Sequence, residues 1–206
     1  PPPSPSPAPS DVARAPAPGP PQAPARALRR NLQASADEFP RDVVELMDFL
    51  SDQPRQAIRA VPGQGTKVPV WILGSSLFGA QLAAMLGLPY AFASHFAPGY
   101  LMQALEVYRN TFQPSEQLAK PYVMLGFNVV GADTDAEAQL LASSMQQAFV
   151  RLRTGRPGQL PPPVPGYLES LGGAEGAMLA EVLACSAVGS PETVRRALQE
   201  FVQRTG

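Results

Sequence analysis

The chain has 206 residues, 45% hydrophobic and 16% charged, which is long enough for a domain with a real core. Its formal net charge of −1 creates no demand for nucleic acid or an anionic membrane surface. A single cysteine and a single histidine exclude an internal disulfide framework and a metal site built from several such ligands.

Residues 1–24 are mostly Pro, Ala, Ser and Gly, with little to bury, so they read as a disordered or polyproline-like leader. The leader has no apolar core region and is not a signal peptide. It reads as a linker, a Pro-rich ligand for another domain, or a badly bounded gene start. Residues 25–52 predict helix, with Leu28 and Leu32 four apart and Phe39, Val43, Met47 and Leu50 continuing an apolar stripe. Pro40 predicts a kink or break there. Gln53–Lys67, with Pro54, Pro62, Gly63 and Gly65, reads as a loop.

Val68–Leu73 reads as a buried strand. Leu77–Leu86 follows as a helix with Phe78, Leu82 and Met85/Leu86 as its stripe, stopped by Gly87. Tyr90–Ser94 is the second strand, and Pro98-Gly99 opens a helix with Leu101, Leu105, Tyr108 and Phe112 on one face. Tyr122–Val130 is the third strand. Thr134-Asp-Ala-Glu137 is a capping box, with Leu141, Met145, Phe149 and Leu152 following at helical spacing. Arg153–Pro165 is a loop, Ala174–Leu183 a short helix, and Cys185–Val188 a short extended piece. Ser190-Pro-Glu192 starts a last helix whose core face is Val194, Leu198 and Phe201/Val202. Strands alternating with helices predict a parallel α/β sheet with right-handed crossovers.

Residues 68–105 contain no Asp, Glu, Lys or Arg. Gly74-Ser-Ser76, Gly87, Pro89 and Pro98-Gly99 cut this run into pieces too short to span a bilayer, so it reads as the centre of a buried sheet. The first candidate site is Gly74, Ser75 and Ser76. A strand-to-helix turn with free N–H groups and two hydroxyls can hold an anion such as phosphate. Capping of the next helix by Ser75 or Ser76 is the more ordinary role. The pattern is neither a Walker loop nor a dinucleotide fingerprint. His95 follows the second strand and is a weak catalytic candidate, since a lone histidine beside aromatics is more often a packing residue. Trp71, Tyr90, Phe92 and Phe96 are expected close together, mostly as core, with some able to wall a flat ring ligand. Cys185, in an apolar run, reads as a small buried hydrophobe, and Arg29-Arg30 and Arg195-Arg196 as solvated helix faces.

Val68-Pro-Val-Trp-Ile-Leu-Gly-Ser-Ser76, followed by Ala83-Ala84, Gly87-Leu-Pro89 and Tyr90-Ala-Phe92, resembles the fifth and sixth strands of the luciferase-like monooxygenases, flavin-dependent TIM-barrel proteins. Val188-Gly-Ser-Pro-Glu-Thr-Val194 is similar to that family's helix start near the last strand, and the chain from Ala25 onward to its fourth helix. The resemblance covers residues 25–206 and implies a partial (β/α)8 barrel with about three parallel strands. It implies an oxidoreductase that uses reduced FMN, or less readily F420, with O2 on an organic small molecule. The phosphate would lie at Gly74, Ser75 and Ser76. The family's arginine at the end of the fourth strand falls in the Pro-rich segment, where Arg14-Ala-Pro16 echoes it without being assigned a role. A flavin reductase is an implied partner, the setting is cytoplasmic, and homo-oligomerisation stays open. Against this pattern, strands one to four are expected to be missing, and the chain stops at Arg204-Thr-Gly206, where the family continues into an eighth strand. The alternatives are therefore a truncated, catalytically inactive fragment of the family or a non-enzymatic interaction module.

Overall fold

The structure, a computed structural model, describes residues 12–14, 38–55 and 57–206. The described residues contain six strands and seven α-helices. The strands are β1 (Val12–Arg14), β2 (Val70–Gly74), β3 (Tyr90–Phe92), β4 (Val123–Leu125), β5 (Asn128–Gly131) and β6 (Ser186–Gly189). The helices are α1 (Phe39–Leu50), α2 (Leu77–Leu86), α3 (Leu101–Thr111), α4 (Asp135–Arg153), α5 (Tyr167–Ser170), α6 (Gly173–Val182) and α7 (Pro191–Thr205). The described residues fall into two compact units, one comprising those up to Ala91 together with Glu106–Met124, the other Phe92–Leu105 with Leu125–Gly206.

The first unit is organised around a sheet of order β1-β2-β3-β4. β1 lies within the segment expected to be unstructured and pairs parallel with β2, Val12 opposite Val70 and Arg14 opposite Ile72. A strand therefore occupies the β2 edge where the resemblance implied none. Backbone bonds from Ile72 N to Pro89 O and from Tyr90 N to Tyr122 O continue the ladder. α1 begins at Phe39 with Pro40 in its first turn. Pro40 therefore starts this helix and does not kink it, because its missing N–H falls where no intrahelical acceptor exists. The predicted helical residues before Glu38 lie outside the described residues.

The α2 helix corrects the expected stripe. Its buried face is Gly79, Ala80, Leu82, Ala83 and Ala84, while Phe78 and Met85 are exposed. Small residues let the helix lie close on the strands, and a β-carbon on Gly79 would sit 3.4 Å from the Tyr90 ring. Gly87 ends α2 in the left-handed region at φ 63°, with Gln113 O and Ser115 Cβ each 2.5 Å from where a β-carbon would stand. Both conformation and space demand glycine there. Tyr108 lies buried in this unit, its hydroxyl donating to Leu88 O at 2.8 Å and accepting from Tyr122 N at 3.2 Å.

The second unit contains the parallel pair β5-β6, Asn128 opposite Ser186 and Gly131 opposite Gly189. The predicted run Tyr122–Val130 is interrupted at Gly126 and Phe127, so it forms two strands. α4 starts with Thr134 as its N-cap, Thr134 Oγ1 accepting from Glu137 N at 3.2 Å, which is the forward half of the expected capping box. Its buried face is Ala138, Ala142, Ser143, Gln146, Gln147 and Val150, whereas Leu141 and Leu152 are exposed. The helix is thus rotated from the predicted stripe. Ser143 Oγ accepts from Val164 N at 2.7 Å, and Gln147 Nε2 donates to Pro162 O at 3.0 Å. These polar side chains face inward because the Pro-rich segment offers backbone groups with few partners of its own. α7 has Ser190 as N-cap and Pro191 in its first turn, as expected.

Candidate functional site

The turn at the carboxyl end of β2 is built by Gly74, Ser75 and Ser76. Ser76 is the N-cap residue of α2, with extended backbone at φ −132° and ψ 164°, yet its side chain makes no capping hydrogen bond. The Ser75 hydroxyl likewise has no hydrogen bond among the described residues. The ordinary capping role is therefore not taken up by either side chain. Both residues directly precede the first helical turn, whose N–H groups lack intrahelical acceptors and which carries no acidic residue. Tyr90, buried within the same unit, donates from its hydroxyl to Ser76 O at 3.1 Å and pins the turn. Burial pushes the Tyr90 phenol upward, so it remains a neutral donor. A β-carbon on Gly74 would meet only Gly79 Cα, at 3.9 Å, so the approach to the turn is open. Hydroxyl and amide donors without a neighbouring carboxylate fit a phosphate group. The register of β1 puts Arg14 opposite Ile72, two residues before Gly74 and toward the same strand end.

The turn after β3 lies in the second unit and is built differently. Ser94 is fully buried and donates to Gly126 O at 2.6 Å. Gly126 N in turn donates to Phe92 O at 3.1 Å. His95 is exposed, and its imidazole lies so close over Gly126 that any β-carbon there would collide with the ring. Asn128 Nδ2 donates to His95 O at 2.7 Å and reaches Ser186 Oγ at 3.4 Å. Arg153 donates to Phe96 O at 3.1 Å and stacks its guanidinium 5.3 Å from the centre of the Phe96 ring. Every polar backbone or side-chain group of this turn named here serves the turn's own shape, apart from the imidazole. Sequence reasoning found His95 but missed Gly126, Asn128 and Arg153. The available signal was a glycine and an asparagine interrupting an otherwise apolar strand run.

The four aromatic residues do not share one role. Trp71 packs edge-on against Tyr122, with ring centres 5.6 Å apart, and Tyr90 packs against Tyr108 at 5.5 Å. Phe92 is core, and Phe96 is 43% exposed beneath Arg153. Cys185 is buried, and that burial pushes its thiol upward, as befits a small hydrophobe. Arg195 is a solvated residue paired with Glu192 at 2.6 Å, while Arg29 and Arg30 lie outside the described residues. Among the described residues no cluster of His, Cys, Asp or Glu could hold a metal ion, and no helix is long and apolar enough to cross a membrane.

Parallel strands with helical crossovers and a polar turn at a strand's carboxyl end define part of a (β/α)8 barrel. The sequence profile described as luciferase-like monooxygenase matches residues 26–206, and the chain belongs to that family. It is 51% identical over 180 residues to a luciferase-like monooxygenase of Escherichia coli (strain K12), covering 87% of this chain and 54% of that protein. It is 47% identical over 186 residues to the uncharacterised protein YvbT of Bacillus subtilis (strain 168), covering 89% of this chain and 55% of that one. The crystal structure of apo-MsnO8 superposes with a TM-score of 0.77 at 28% identity, covering 95% of this chain and 60% of MsnO8. The chain spans about half the length of the curated relatives it matches.

Proposed function

We propose that this chain contributes the phosphate-binding turn of a flavin-dependent monooxygenase, acting with O2 on an organic small molecule in the cytoplasm and supplied with reduced FMN by a reductase. The observation that carries this reading is the pair of serine hydroxyls at the end of β2, both without a partner among the described residues at an N-terminal helical turn. Bound reduced flavin supplies the chemistry with O2, and the protein supplies position and shielding. Gly74 keeps the approach clear, Ser75 and Ser76 donate to phosphate oxygens, and Tyr90 fixes the backbone that carries them. His95 offers an exposed imidazole on a backbone held by Asn128.

The test is a titration of the purified chain with oxidised FMN, reduced FMN and F420, followed by oxygen consumption with a long-chain aldehyde. Micromolar binding of reduced FMN, weakened by removing the two hydroxyls, is the expected result. Absence of any flavin or F420 binding would sink the reading. A second reading rests on the chain's 54% share of its relative's length. On that reading this length of chain lacks the rest of the active site, and cofactor binding without turnover is its signature.

A further inference from the structure

We propose that the cavity between α4 and the segment Val164–Glu169 binds a small neutral molecule bearing an amide or lactam edge, an N–H beside a C=O, read by the side chain of Gln146. Three polar residues of α4 are turned inward: Ser143 and Gln146 at 2% exposure, and Gln147 at 9%. Two have evident structural work. Ser143 donates to Leu140 O at 2.6 Å while accepting from Val164 N, and Gln147 holds Pro162 O. Gln146 has no hydrogen bond among the described residues, although a carboxamide has both donors and an acceptor to satisfy.

No fully enclosed side-chain polar atom among the described residues lacks a partner. The Gln146 amide is therefore not sealed in, and its outlet is the cavity it lines, about 540 Å3 in volume. Burying an amide without a partner is unfavourable, so a hydrocarbon side chain would suit this position better unless something bonds to it. The walls around it are largely apolar, formed by Leu140, Val164 and Leu168, whose exposed faces a ligand's hydrocarbon body would cover. The cavity wall has one carboxylate, Glu169, and no cation, so an anionic ligand is disfavoured. A carboxamide pairs with a cis-amide edge through two hydrogen bonds at once, and a lone carbonyl can make only one of them. The cavity shares no residue with the β2 turn or the His95 turn.

The probe is ε-caprolactam, a neutral ring with the required edge, compared with cycloheptanone, the same ring size without the N–H. Binding is followed by NMR through the Gln146 side-chain amide signals, with thermal unfolding as the control for folding. Caprolactam is expected to shift those signals saturably, with cycloheptanone about tenfold weaker. Gln146→Met, close in shape, should weaken caprolactam about tenfold while leaving the unfolding midpoint unchanged or raised. Gln146→Leu should behave alike. If the variants fail to fold, the two-ring comparison on the unaltered chain still decides the matter. Unshifted amide signals, equal affinity for the two rings, or full affinity in Gln146→Met would overturn the proposal. So would a crystal structure showing only an ordered water on Gln146 in the presence of caprolactam. Flavin binding is read separately, so either proposal can fail alone.

Discussion

The strand end after β2 and the strand end after β3 carry similar sequences of small and polar residues but spend their hydrogen bonds in opposite ways. After β2, Ser75 and Ser76 leave both hydroxyls without partners among the described residues. After β3, Ser94, the His95 carbonyl and the Phe96 carbonyl are engaged by Gly126, Asn128 and Arg153. A turn that shows its donors to the outside leaves them open to solvent or to a ligand. A turn that consumes them holds one remaining group, here an imidazole, in a fixed place.

The largest effect expected from this contrast is on binding. Ser75→Ala with Ser76→Ala should weaken reduced FMN about a hundredfold, since each hydrogen bond to a charged oxygen contributes about 1.5–3 kcal/mol. The same pair should change the urea midpoint little, because neither hydroxyl has a hydrogen bond among the described residues. A large loss of stability with unchanged FMN affinity would make both serines structural and erase the contrast.

Next in size is Tyr108→Phe, which orphans the buried Leu88 carbonyl and Tyr122 N–H at a cost of about 1–3 kcal/mol in chemical denaturation. It tests whether the scaffold under the β2 turn is as firmly bonded as the geometry indicates.

Asn128→Ala should cost about 1 kcal/mol and release the His95 backbone. Because the chain has one histidine, its imidazole proton signal reports this turn alone, and it should move or broaden. Asn128→Asp should not restore it, since a carboxylate cannot donate to the His95 carbonyl. An unmoved signal would mean that Asn128 does not hold the turn.

The smallest expected effect concerns acid. The Asp135 carboxylate accepts from Ser190 N at 2.6 Å and Thr193 Oγ1 at 3.2 Å, and the bonds to Ser190 first of all hold its pKa below the ordinary 3.8. A depressed folded-state pKa contributes stability above the unfolded value, and that contribution is lost as pH falls through the folded one. The stability gap between the unaltered chain and Asp135→Asn should be small, present near neutrality, and closed in strong acid.

Much of the fold was legible from the sequence because its strands are apolar runs punctuated by Gly and Pro. The starts of α4 and α7, with Thr134 capping and Pro191 in the first turn, follow local rules and were read correctly. The inward face of α4 was not. Its burial is set by the carbonyl of Pro162 and the N–H of Val164, groups distant in sequence that outweigh the apolar count of Leu141 and Leu152. The stripe of α2 failed for a related reason, since close approach selects Gly79 and Ala83 over Phe78. β1 could not be read from a Pro- and Ala-rich segment, because three residues gain strand character only from the partner beside them. Of the candidate site residues, Gly74, Ser75 and Ser76 were visible as a turn pattern, whereas Asn128 acts across to His95 and leaves no local mark.

The pairing of β1 with β2 also bears on the order of assembly. It joins position 12 to position 70 through only three residue pairs, so a long stretch of chain must be closed for a small return. Such a strand docks late in folding and opens early, well below the free energy of global unfolding. Its amides should therefore exchange with solvent ahead of those of β3, and the edge of β2 that it covers should be uncovered first.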